Sequence, residues 1–156
     1  CIRDSSGPVY ETPPLEEDLY FGGLPRLHVN VNTMTVGGQI YALLEDCDGS
    51  TCIHIGHAIM DLRYHAGGSD EQAWSAPFEE ITALMEFFPM DVEVAAGHTI
   101  RLSLMSTGED YLPSAASSIV TVNNAGSTLQ IDAFDPETRQ YYQVPECTHP
   151  VCLENA

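Results

Sequence analysis

Leu27-His28-Val29-Asn30-Val31-Asn32-Thr33 alternates apolar and polar side chains without a break. Successive side chains of an extended strand point to opposite faces. Leu27, Val29 and Val31 therefore share one face, and His28, Asn30 and Asn32 share the other. This is the pattern of a strand with one face in a core and one in water. The same period returns over Thr99 to Ser106, where Ile100, Leu102 and Leu104 face inward.

Outward from these two stretches the chain reads as more strands divided by turns. Leu15 to Phe21 is a short strand closed by Gly22-Gly23. Gln39 to Asp46 and Cys52 to Tyr64 are two runs forming a hairpin around Cys47-Asp48-Gly49-Ser50-Thr51-Cys52. Glu80 to Val94 contains Pro89, which cannot donate to a ladder and implies an edge, a bulge or two shorter strands. Within it, Phe78 to Phe88 spaces its apolar residues at nearly helical intervals. Ala96-Gly97-His98 is a turn, and residues 66–77 and 107–118 are loops. Ile119 to Val122 and Thr128 to Ala133 are short strands around an Asn123-Asn124-Ala125-Gly126 turn. Turn signals at this spacing predict an all-β, antiparallel β-sandwich (jelly roll) of about eight to ten strands. It forms one domain over 1–156, with a loop-like segment at 1–14 and a C-terminal extension at 134–156.

The 156 residues are 44% hydrophobic, enough for a sizeable core without a metal. No run of about 18 apolar residues could span a membrane. No signal peptide is visible, as expected of a mature secreted form or an excised domain. There are 23 acidic residues against 5 basic ones, all arginine, for a formal charge of −18. Phosphate neutralisation by Lys and Arg drives nucleic-acid binding, so that function is excluded, as is attraction to an anionic membrane. The plain reading of the acidity is solubility, including in salty water; the sharper one is cation binding, chiefly calcium.

Two cysteine pairs, Cys47/Cys52 and Cys147/Cys152, each enclose four residues that include turn formers. A chain reversing over so few residues brings its ends within disulfide range. Two small disulfide loops are expected, and with them an oxidising compartment: extracellular or cell surface. The spacing is only marginally compatible with zinc. Cys1 is left over, which suggests intermolecular pairing, a free thiol or a modification.

Three blocks resemble the C-terminal β-sandwich (jelly-roll, galactose-binding-like) domain of the X-Pro dipeptidyl peptidase and cocaine-esterase-like hydrolases. The first is Pro14-Leu15-Glu16-Glu17-Asp18-Leu19 followed by Gly22-Gly23-Leu24-Pro25-Arg26-Leu27-His28-Val29. The second is Tyr41-Ala42-Leu43-Leu44-Glu45-Asp46 with Asp48-Gly49-Ser50 and Ile55-Gly56-His57-Ala58. The third runs from Phe88-Pro89 to Gly97-His98-Thr99-Ile100-Arg101-Leu102 and is similar to the family's Gly-His-x-Leu-Arg-Leu block, with Ile100 at the first Leu position. The resemblance covers roughly 9–133; the tail from Asp135, the cysteines and the absence of lysine depart from it. In that family the Ser-His-Asp triad belongs to the α/β-hydrolase domain, of which nothing is found here. Gly67-Gly68-Ser69-Asp70-Glu71 lacks the last glycine of a nucleophile elbow. The resemblance therefore implies a domain that is not an enzyme and that packs on one.

Among side chains that could carry chemistry, Asp46, Asp48, Asp70 and Glu71 are the calcium candidates. Asp46-Cys47-Asp48-Gly49 resembles the start of an EF-hand loop but lacks the rest, so a solvated turn is the competing reading. No other cofactor is implied. His54 and His57 stand an odd number of residues apart, which on a regular strand puts them on opposite faces and precludes joint chelation. His98 is expected to brace its turn. Trp74, Phe78, Tyr111, Tyr141 and Tyr142 could stack a sugar or anchor a partner, or could plug the sandwich ends. The expected role is an accessory domain whose partner is a hydrolase domain. The alternatives are a stand-alone subunit of an extracellular filament or surface layer, joined to copies of itself by terminal strand exchange, and a carbohydrate-binding module.

Overall fold

A computed structural model of the chain describes residues 7–35, 37–67, 78–108, 111–112 and 119–138. Cys1, Asp70, Glu71, Trp74, Tyr141, Tyr142, Cys147 and Cys152 lie outside these residues. The described residues form eight strands: β1 (Val9–Glu11), β2 (Leu19–Thr33), β3 (Gln39–Asp48), β4 (Thr51–Asp61), β5 (Ile81–Glu86), β6 (Met90–Val94), β7 (Thr99–Met105) and β8 (Val120–Ala133). Short 3₁₀ turns follow β4 and β8.

The alternating stretch is the second half of β2, with Leu27, Val29 and Val31 buried at 2%, 1% and 0% exposure. β5 and β6 follow one another along one edge of β2, pairing Arg26 with Glu86 and Phe21 with Val92. β8 pairs along the other edge. The facing sheet has the order β1-β7-β3-β4, and every pairing in both sheets is antiparallel. Ile100, Leu102 and Leu104 of β7 meet Ile40, Ala42 and Leu44 of β3 and the inward face of β2 in a single core, the sandwich that the alternation predicts.

Several elements differ from their sequence reading. β2 does not stop at Gly22-Gly23: Gly23, at φ 90°, lets the strand bulge between Gly22 and Arg26 and continue. Asn123 to Gly126 is likewise not a hairpin turn. β8 runs through it, with Asn30 paired to Asn123 and His28 to Thr128. The extra residues are held by local polar bonds: Ser127 Oγ accepts from Asn30 N–H at 3.0 Å, and Ala125 O accepts from Asn30 Nδ2 at 2.8 Å. Phe78 to Phe88, despite its nearly helical spacing, holds the strand expected within Glu80 to Val94: Ile81, Ala83 and Met85 are buried while Thr82, Leu84 and Glu86 are exposed. Pro89 divides β5 from β6. Segment 1–14 contains β1, which docks on β7 because Leu104 N–H donates to Pro8 O at 3.0 Å and Glu11 pairs with Arg101.

β3 and β4 form the expected hairpin, closed at its tip by Gly49-Ser50, with Gly49 in the left-handed region at φ 57°. Cys47 and Cys52 are directly opposed in register and joined by a disulfide. A loop this short restricts the unfolded chain by about 2 kcal/mol. Cys47→Ser/Cys52→Ser is therefore expected to lose about that much in urea unfolding and to keep its far-UV circular dichroism, because the ladder around it remains.

At the β1 edge, Thr99 Oγ1 donates to Glu11 at 2.6 Å and the Arg101 guanidinium lies 3.1 Å away. Together they hold the Glu11 carboxyl below its ordinary value of 4.5. A carboxylate so lowered stabilises the fold above its unfolded pKa and loses that contribution as pH falls through the folded one. Glu11→Gln should be less stable than the parent well above pH 4.5 and converge with it in acid, as read from urea midpoints across a pH series.

Candidate functional site

The outward face of the β1-β7-β3-β4 sheet brings together side chains that the sequence separates. Directly opposed residues of antiparallel strands share a face. One rung runs Glu11–Arg101–Glu45–His54 across the four strands, and a neighbouring rung runs Val9–Ser103–Leu43–His57. Glu45 and Leu43 are two apart on β3, so their partners His54 and His57 face the same way. The ladder passes from Leu44–Gly56 to Glu45–His54, leaving Ile55 as an extra residue in β4. This bulge overturns the expectation that the two histidines point to opposite faces.

His57 Nδ1 stands 3.2 Å from His54 Nε2, and His57 Nε2 stands 3.0 Å from Tyr111 Oη. The buried Tyr41 ring stacks on His57 at 5.5 Å between centroids, and the exposed Phe88 ring meets it edge-on at 5.4 Å. Tyr111 is held by its own loop, where Tyr111 N–H donates to Gly108 O and Thr107 Oγ1 donates to Tyr111 O. Gly108 lies flat on Tyr41, and a Cβ there would come within 2.4 Å of the ring. Of the aromatic candidates, Tyr111 is thus turned onto an imidazole rather than displayed as a platform, and Phe78 is exposed at the far end of β2.

Of the calcium candidates, Asp46 and Asp48 fall among the described residues. Asp46 is buried at 6% exposure, and its Oδ1 lies 2.8 Å from His98 Nδ1, while Asp48 is exposed at the hairpin tip. His98 and Asp46 brace the turn before β7, with Gly97 N–H donating to Leu15 O and Ala96 N–H to Asp18 Oδ1, both at 2.8 Å. Among the described residues no three His, Cys, Asp or Glu side chains gather around one point. No described helix is long and apolar enough to cross a membrane.

A second concavity, of about 370 Å³, opens between the sheets where β1 and β7 face β2 and β8. Leu27, Val29, Leu102 and Leu129 line it, and Tyr10 Oη donates across it to Asn124 Oδ1 at 2.6 Å.

What the parity rule misses at the histidine pair shows only in the packing. Ile55 and Ala58 both pack toward the core although they are three apart, a break of parity that only an inserted residue permits. Gly108→Ala should push the 107–111 loop off Tyr41, lower the melting temperature and change the tautomer equilibrium of His57, read from imidazole nitrogen shifts.

Solved structures share this fold. An aminopeptidase from a marine-sediment Thaumarchaeota archaeon superposes with a TM-score of 0.69 at 15% identity, over 81% of this chain and 25% of that one. An α-amino acid ester hydrolase gives 0.69 at 16% identity, over 81% and 25%. A CocE/NonD family hydrolase from Staphylococcus aureus gives 0.68 at 10% identity, over 83% and 30%. The chain therefore spans only about a quarter of the first two. No curated protein matches it. The family model of the X-Pro dipeptidyl-peptidase C-terminal non-catalytic domain matches residues 2–143, which include every strand of the two sheets described. With its three sequence blocks laid into those sheets, the chain belongs to that non-catalytic domain family and is not itself an enzyme.

Proposed function

We propose that this chain is the accessory β-sandwich of an X-Pro dipeptidyl-peptidase-like hydrolase, docked on a catalytic domain and working outside the cell. The observation that carries the reading is the family match over 2–143, in a chain spanning only about a quarter of the length of the aminopeptidase and ester hydrolase it resembles. The Cys47–Cys52 disulfide supports an oxidising compartment.

A docking face needs clustered apolar side chains. One end of β2 supplies them. Met34 N–H donates to Ile119 O at 3.3 Å and Phe78 N–H to Thr33 O at 2.8 Å, which draws Met34, Phe78 and Ile119 together at 50%, 65% and 65% exposure. The backbone at Phe78 is left-handed, at φ 65°, a conformation unfavourable for a bulky residue. A phenylalanine kept exposed in such a conformation is better suited to filling a partner's pocket than to stabilising its own domain.

A second reading, assembly from copies of the chain, is favoured by one feature. β8 is a 14-residue strand with β2 on one edge and no strand among the described residues on the other. An open edge of that length can accept an added strand.

Hydrogen exchange on the protein isolated from its own source, compared with the chain alone, distinguishes the two. The accessory reading expects amides at 33–35, 78–80 and 119–121 to slow in the native complex. Phe78→Ser/Ile119→Ser should remove that protection while leaving the isolated chain's melting temperature unchanged. Protection confined to the β8 edge, in particles holding no hydrolase, would overturn the reading in favour of assembly.

A further inference from the structure

We propose that the outward face of the β1-β7-β3-β4 sheet carries a binding site for a divalent transition-metal ion, built on His54 and His57. This inference does not depend on the accessory-domain reading.

The geometry is that of a chelating pair. Two imidazole nitrogens bound to one tetrahedral zinc, at about 2.0–2.1 Å each, lie about 3.3 Å apart. His54 Nε2 and His57 Nδ1 are 3.2 Å apart already. His54 is exposed, so a small rotation of its ring can aim both lone pairs at a common point open to solvent.

One tautomer of His57 suits a metal, and Tyr111 is placed to accept from it. A metal-binding histidine usually donates its other ring N–H to a fixed acceptor, which leaves the ligating nitrogen unprotonated. Tyr111 Oη stands 3.0 Å from His57 Nε2, the nitrogen away from His54. With Nε2–H donated to Tyr111, Nδ1 keeps its lone pair facing His54. Tyr41 stacked on the ring and Phe88 at its edge hold the plane. Tyr111 is thus a positioning residue for the metal rather than a ligand.

Charge and neighbours agree with a cation. Glu45 stands directly across the ladder from His54 on the same face, one cross-strand spacing away. The chain carries a net −18. Imidazole nitrogen selects zinc, copper and nickel over calcium and magnesium, which prefer oxygen. Two imidazoles fill half of a tetrahedral shell, and water or a donor from a bound partner fills the rest.

Isothermal titration of the intact chain with zinc chloride tests the site, with imidazole nitrogen spectra as a second readout. The parent should take up one zinc, with shifts at His54 and His57, undiminished by excess calcium. Uptake should fall in acid, where protons compete with the metal for the imidazole nitrogens. His54→Ala and His57→Ala should each weaken binding more than tenfold, and Tyr111→Phe about tenfold, the usual effect of removing a histidine's outer partner. His28→Ala, on the other sheet, should leave it unchanged. Zinc uptake that survives both His54→Ala and His57→Ala, that calcium displaces, or that is absent from the parent would overturn the proposal. If a histidine variant unfolds, the parent's imidazole shifts decide alone.

Discussion

β2 is hydrogen-bonded on both edges along most of its 15 residues, and the rest of the sandwich depends on that double pairing. It presents Leu27, Val29 and Val31 as one apolar row, and a shift of register by a single residue would turn that row into water. Each fully buried side chain of this size is worth about 1.5–3 kcal/mol, so the row outweighs the strain of the two irregular places where β8 must accommodate β2. Those irregularities are built rather than tolerated: a left-handed Gly23 serves one, and a knot of Asn30, Asn123 and Ser127 bonds serves the other.

How far the sequence discloses this structure follows from what kind of signal each part carries. Strands that bury one face announce themselves by period, as in Leu27–Thr33, Thr99–Met105 and the hairpin closed at Gly49. Parity also leads astray wherever a residue is inserted. Gly22-Gly23 and Asn123 to Gly126 have the composition of turns, and only the neighbouring strand decides that the chain passes through them as bulges. Ile55 is the sharper case, since one extra residue reverses the facing of His54 relative to His57. Tyr111 could not have been placed at all, because its position depends on Gly108 lying against Tyr41, a contact across 67 residues of chain.

The acidic composition takes on local form in the structure. Arg26 is paired with Glu86, Arg63 with Asp61 and Arg101 with Glu11. These pairs lie at or near the surface, where solvent and salt screen them and each adds little to stability. Their larger effect is on the field. Each described arginine is joined to a carboxylate, so the excess of 23 acidic residues over 5 basic ones sets a negative field in which the outward face bearing the imidazoles lies.

The hairpin tip and the histidine pair are parts of one strand, and this has a mechanical consequence. A bulge is a registry defect, and in an open hairpin such a defect can be shuffled outward and expelled through the turn. Here the Cys47–Cys52 crosslink stands between the Ile55 defect and the Gly49-Ser50 turn. The crosslink covalently fixes the register on the turn side of the defect, and so keeps the extra residue, with the common facing of the two imidazoles that follows from it, inside β4.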